Sequence, residues 1–171
     1  MRTTVFAIAL AFLAALAWFG AEQGGDAHAQ GKGKGKGGGG NTRCSIDSTT
    51  SVAFGFYDTD AASAETTTGE LRFSCQPNQT LTVQVTIGPS AASGSIDDRR
   101  MRELGGSDEL QYNLFQDQRG TIVWGDGVLG GSPAFVTGSR NFNVEIFAIA
   151  PPGQNVGVGI YLDAVRITIL P

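Results

Sequence analysis

Few side chains in this 171-residue sequence are equipped for chemistry, and they are sparsely placed. There are two cysteines, Cys44 and Cys75, and a single histidine, His28. The nearest carboxylate neighbours are Asp58 with Asp60 and Asp97 with Asp98. Acid–base catalysis needs two carboxyl groups held across a cleft with their pKa values driven apart. These aspartates sit instead in turn-like sequence, where the side chain caps and bends the backbone. A Ser/His/Asp or Cys/His set needs an imidazole, and His28 lies in a segment read below as removable. Two cysteines alone make a poor zinc site. Gly125-Asp126-Gly127 lacks the lysine and the following helix of a phosphate loop. The expectation is no catalytic residue, no metal and no cofactor. One ligand-facing chemistry stays open: Trp124, beside Asp126, could stack an exposed indole on a sugar. The competing reading is a packing tryptophan ahead of a tight turn. Tyr161 and Asp163 fall on one strand face and are expected to form a buried hydrogen-bonded pair.

The N-terminal segment decides the compartment. Arg2 precedes the almost wholly apolar run Val5–Phe19, and Ala27-His28-Ala29 supplies a small-x-small cleavage pattern before Gln30. Residues 1–29 therefore read as a signal peptide. The apolar run is short of the roughly 20 residues a spanning helix needs. No later segment could span a bilayer as a helix, so no stable membrane insertion is expected after cleavage. The chain is expected to be exported, to the cell surface or the medium. Export brings Cys44 and Cys75 into an oxidising compartment, and a disulfide between them is expected.

Residues 30–43 read as a disordered Gly/Lys-rich linker. Gly31–Arg43 offers no apolar side chain to offset the ordering entropy of its glycines. The lysines Lys32, Lys34 and Lys36 all fall here, so the net charge of −4 leaves the rest of the chain more acidic than the whole. An acidic domain argues against nucleic acid as a partner.

After Cys44 the hydrophobic pattern has period two. Leu81, Val83, Val85 and Ile87 alternate with Thr82, Gln84 and Thr86, the pattern of a half-buried strand. Leu71, Phe73 and Cys75 share a face, as do Val52, Phe54 and Phe56. Leu110, Tyr112 and Leu114 follow, then Phe142, Val144, Ile146 and Ala148, and last Val165, Ile167 and Ile169. Asp97–Leu104 reads as one helical turn or a charged loop. Short strands with frequent turn signals over residues 44–171 predict an all-β antiparallel β-sandwich.

The order of several motifs resembles the spore coat protein U domain family. Val52-Ala-Phe54-Gly55-Phe56-Tyr57-Asp58 and Gly69-Glu-Leu71-Arg-Phe73-Ser-Cys75 open the pattern. Arg100-Met101, Leu110-Gln-Tyr112-Asn113-Leu114-Phe115-Gln-Asp117 and Thr121-Ile-Val-Trp124-Gly125-Asp126-Gly127 continue it. Phe147-Ala-Ile149-Ala-Pro151-Pro-Gly153-Gln154 and Gly159-Ile-Tyr161-Leu-Asp163-Ala-Val165 complete it. The resemblance implies an immunoglobulin-like sandwich, either complete or lacking one strand that is supplied in trans. It implies partners that act by strand addition: a periplasmic chaperone, an usher and other pilus or coat subunits. The acceptor groove is then expected to be flanked by the first strand region (Ile46, Val52, Phe54, Phe56) and the last (Val165, Ile167, Ile169). The chain departs from a donor's pattern, because Gly31–Arg43 has none of the apolar anchors a donor strand inserts. Two readings follow. One is a non-enzymatic exported subunit that accepts a strand, placed at a tip or outside polymerisation. The other is a self-contained secreted surface or carbohydrate-binding module.

Overall fold

The structure, a computed structural model, describes residues 4–14, 42–76 and 79–171. The strands in chain order are β1 (Thr4–Ala14), β2 (Arg43–Thr50), β3 (Gly55–Asp58), β4 (Glu65–Gln76), β5 (Thr80–Ile87), β6 (Arg99–Glu103), β7 (Glu109–Phe115), β8 (Ala134–Ser139), β9 (Asn141–Ala150) and β10 (Ile160–Leu170). Among the described residues no helix is long and apolar enough to cross a membrane. The proposed cleavage motif at Ala27–Ala29 lies outside the described residues, and so does the proposed linker up to Asn41. Arg43 is already the first residue of β2.

Period-two alternation builds both layers, as strand geometry requires. On β4 the inward Leu71, Phe73 and Cys75 are fully buried while Arg72 is exposed. Phe73 lies opposite Phe142 of β9, and their rings stack at 4.6 Å. One layer runs β2-β4-β9 and receives Asn113–Phe115 of β7. The other is centred on β10, with β6 and then the first half of β7 beside it and β5-β8 paired further along. Strand β7 thus turns the corner between layers, pairing with β6 over Glu109–Tyr112 and with β9 beyond. Val83, Val85, Ile87, Val165 and Ile167 from one layer meet Leu71, Phe73, Phe142 and Ile146 from the other in a single core. Each such side chain contributes roughly 1.5–3 kcal/mol when fully buried. This is the predicted immunoglobulin-like sandwich, with one parallel pair, β1 against β10.

Three local features differ from the sequence expectation. Asp97–Leu104 holds strand β6 rather than the helical turn or charged loop expected; the inward position beside Met101 is taken by Arg99, whose charge hides the alternation in the sequence. Gly55 adopts φ 73°, which shifts the phase of the chain. Val52 and Phe54 are buried, but Tyr57 then points inward and Phe56 is 59% exposed. Ile46 lies on β2, paired with Phe73 of β4 in the layer that does not contain β10, and packs half-buried against the core. The end of β2 and Val52 beyond it press on β4 so closely that a Cβ on Gly69 would meet the Thr50 carbonyl oxygen at 2.8 Å and Val52 Cγ2 at 2.9 Å.

Cys44 and Cys75 sit directly opposite one another on β2 and β4 and form a disulfide. Replacing both with serine (Cys44→Ser/Cys75→Ser) is expected to cost roughly 3–4 kcal/mol by the loop-entropy relation. Urea unfolding of the oxidised chain against the variant measures it, and reductant should bring the wild type to the same value.

Candidate strand-acceptor site

The position next to β10 is where the sandwich is completed. β10 and β3 are not bonded to each other; β1 lies between them. It runs parallel to β10, from Phe6 opposite Ile160 to Ala14 opposite Ile167, with an irregularity between Ala7 and Leu10. It runs antiparallel to β3, from Thr4 opposite Asp58 to Ala7 opposite Gly55. The slot therefore has one long wall and one short one. Its long wall is held from behind along the other edge of β10. Tyr161 and Leu162 pair with β6, Ile167–Leu170 pair with β5, and the Gly88 and Ala91 N–H groups donate to Arg166 and Ala164 between them.

The inward face of β10 carries Tyr161, Asp163, Val165 and Ile167, all at most 6% exposed. A buried carboxylate on a sheet wall must be satisfied by hydrogen bonds. Asp163 Oδ2 accepts from the Tyr112 hydroxyl at 2.6 Å, and Oδ1 accepts from the Ala91 and Ala92 N–H groups at 2.9 and 3.2 Å. Burial, reinforced by the Asp163 charge, pushes the Tyr112 phenol well above its usual range, so it remains a donor. Tyr161 does not bond Asp163 as its spacing suggested. Its hydroxyl donates to the Gly157 carbonyl at 2.9 Å, and burial with the nearby Glu103 and Asp108 raises its pKa to about 12.

Arg99 is the other buried polar anchor, at 0% exposure. Its Nη1 donates to Asn113 Oδ1 at 2.6 Å, and its Nη2 to the carbonyls of Ile87, Gly88 and Trp124 at 3.1, 2.9 and 2.8 Å. Burial draws its pKa down to about 10, which still leaves the guanidinium charged at neutral pH. One side chain thus joins the end of β5, strand β7 and the loop that holds Trp124. The short wall is pinned separately. The Tyr57 hydroxyl donates to the Pro151 carbonyl at 2.5 Å and accepts from the Gln154 N–H at 3.1 Å. Gln154 is itself clamped to β7, its Oε1 accepting from the Gln111 N–H and its Nε2 donating to the Gln111 carbonyl.

Of the residues expected at the groove, Val165 and Ile167 face inward along the slot, and Val52 and Phe54 lie buried just ahead of β3. Phe56 is on β3 itself but on its outer face. Ile169 lies beyond the β1 pairing, opposite Val85 of β5, and Ile46 is in the other layer. Trp124 is not ligand-facing: it is 1% exposed and its indole N–H donates to the Val85 carbonyl at 2.9 Å. Asp126 holds a turn, accepting from the Val128 and Leu129 N–H groups at 2.9 and 2.7 Å. Sequence reasoning missed Tyr57, Arg99 and Tyr112. The available signals were a polar tip on an inward aromatic position and a charge at an inward strand position. Among the described residues no group of three or more His, Cys, Asp or Glu is placed to hold a metal ion. What the site can do is bind an extended backbone on two edges.

The profile of the Spore Coat Protein U domain family matches residues 41–168. Protein U of Myxococcus xanthus is 34% identical over 105 residues, which make up 60% of this chain and 58% of that protein. The chain thus spans less than two thirds of that relative. A crystal structure of a chaperone–tip adhesion subunit pre-assembly complex (CsuC–CsuE), from archaic chaperone–usher Csu pili of Acinetobacter baumannii, aligns with a TM-score of 0.49 at 18% identity. The alignment covers 76% of this chain and 40% of that one.

Asp163→Ala removes the acceptor of the buried Tyr112 hydroxyl, while the Ala91 and Ala92 N–H groups keep the Ala164 carbonyl and Ser90 Oγ as second acceptors, and it is expected to cost about 1–3 kcal/mol in chemical unfolding. The raised phenol of Tyr112 stabilises the fold fully below the ordinary tyrosine value of 10.0, and that contribution is lost as pH climbs further. Unfolding free energy measured against pH should therefore fall above pH 10 less steeply in Tyr112→Phe than in the wild type.

Proposed function

We propose, for a chain that belongs to the Spore Coat Protein U domain family, the role of a non-enzymatic exported structural subunit that completes its sandwich by accepting a β-strand. The observation that carries this is the arrangement of β10, β1 and β3. Two strands that do not pair with each other both pair with a third, drawn from the apolar N-terminal segment. If residues 1–29 leave as a signal peptide, that third strand leaves with them. The backbone edges of β10 and β3 are then open beside an apolar wall, an arrangement prone to edge-to-edge association.

A periplasmic chaperone would fill the slot with a strand of its own during export. At an usher, a neighbouring pilus or coat subunit would then replace it. Main-chain hydrogen bonds would hold the incoming strand, and its alternate side chains would meet Tyr161, Val165 and Ile167. Gly31–Arg43 carries no apolar anchors to offer a neighbour in return. The mature chain is thus an acceptor and a poor donor, suited to a tip or to a coat that does not polymerise by this route. The carbohydrate-module reading loses its anchor, because Trp124 is buried. Occupation of the slot from within the same chain favours a self-contained sandwich only for as long as the leader stays attached.

The test is thermal unfolding of the chain from Gln30 onward, with and without a solubilised peptide spanning Thr4–Ala14. At a hundredfold excess over Kd the peptide should raise the midpoint by about 8 °C. A peptide with Phe12→Asp, at the position opposite Val165, should not. A shortened chain that already melts cooperatively at the temperature of the full chain, indifferent to peptide, would sink the proposal.

A further inference from the structure

The outer rim of the slot has a chemistry of its own. Phe6 of β1 is paired on one side with Phe56 of β3 and on the other with Ile160 of β10. Phe56 and Ile160 are both turned to the outer face, 59% and 42% exposed. Leu162 follows on the same face of β10 at 37%, and Leu104, whose N–H donates to the Ile160 carbonyl, adds another exposed side chain. Further along β10 the outer positions become polar, with Arg166 opposite position 13 of β1 and Thr168 beyond it. The solvent face of an antiparallel sheet is ordinarily polar. Here one end of the slot is apolar on both faces and the other end on the inner face alone.

Directly opposed residues in neighbouring strands share a face, and their side chains are the unit of sheet stabilisation. A strand entering this slot therefore places one outward residue between Phe56 and Ile160. The segment seated there, TVFAIALAFLA, has a single polar residue, Thr4, and so is apolar on both faces.

We propose that Phe56 and Ile160 form an outer specificity rim that selects, as partner, a donor strand with a large apolar residue in the outward position between them. This rests on the strand-acceptance reading and narrows it. The preferred donor is not a simple amphipathic strand with an apolar inner row and a polar outer row. It is apolar on both faces at the end near Ile160, with the outer-face requirement ending before Arg166.

A double-mutant cycle in the full chain tests this, read by amide hydrogen-exchange protection across β1. In the wild type, Phe6→Ser should lower that protection about tenfold, the sum of two cross-strand pairs. In a Phe56→Ser/Ile160→Ser background, where both altered positions are solvent-facing, the same change should have less than about a twofold effect. Equal effects in the two backgrounds, or none in either, overturn the rim. Phe12→Asp, opposite the inward Val165, serves as the separate control and should abolish protection of β1. If it does not, strand acceptance itself fails, and the rim fails with it. If it does and the cycle is additive, acceptance stands and only the rim is lost.

Discussion

The edge of β10 that β1 occupies is the constraint on which the rest of the molecule depends. Every backbone N–H and C=O next to a buried apolar face needs a partner. β10 lies over the core with one edge satisfied by β5, β6 and the segment joining them. Its other edge faces β3 across the width of one strand. Neighbouring strands sit about 4.8 Å apart, so walls that each pair with a third strand are roughly 9–10 Å from one another, too far to bond directly. The two walls cannot close on themselves without dismantling the packing beneath them. An extended segment between them satisfies both edges and covers the inner row at once.

For such a gap to hold its shape, the walls must be fixed independently of what fills it. The buried polar groups do this. Asp163 ties the middle of β10 to β7 through Tyr112 and to the segment after β5 through two backbone amides. Arg99 draws together three carbonyls and Asn113 at the junction of both layers, and Tyr57 holds the short strand β3 against the Pro151–Gln154 turn. A half-satisfied buried network would be a liability in a low-dielectric interior. With its partners made, it positions the walls more sharply than apolar packing, which tolerates small displacements. The buried Arg99 Nε, with no partner among the described residues, is the exception for which the structure offers no account.

The slot also separates two kinds of interaction that strand pairing usually blends. On the strand-acceptance reading proposed above, the backbone edges and the inner wall would hold an incoming apolar strand, and the outer rim of Phe56 and Ile160 would favour one with a large apolar residue between them. Affinity and choice of partner would then come from opposite faces of one sheet.

Much of this was legible in the residues. Strict alternation in Leu81–Ile87, Leu71–Cys75 and Phe142–Ala148 dictated strands, because a period of two buries one face and nothing else does. A single pair of cysteines in a chain expected to be exported pointed to the disulfide. The glycine run reads as a poor donor, because it has no apolar side chains to bury. Other features could not be read locally. Gly55 reversed the phase of the residues after it, so that Tyr57 rather than Phe56 went inward, and Arg99 took a core position that hydropathy assigns to the surface. Ile46 and Ile169 have the right character for the groove and lie outside it. Trp124 has the right character for an exposed ligand platform and is buried. Alternation is a property of neighbours in sequence, and it determined which residues face inward along most strands. Which two strands flank the gap is a property of strand order, set by contacts between residues far apart in the chain, and only the tertiary structure decided it.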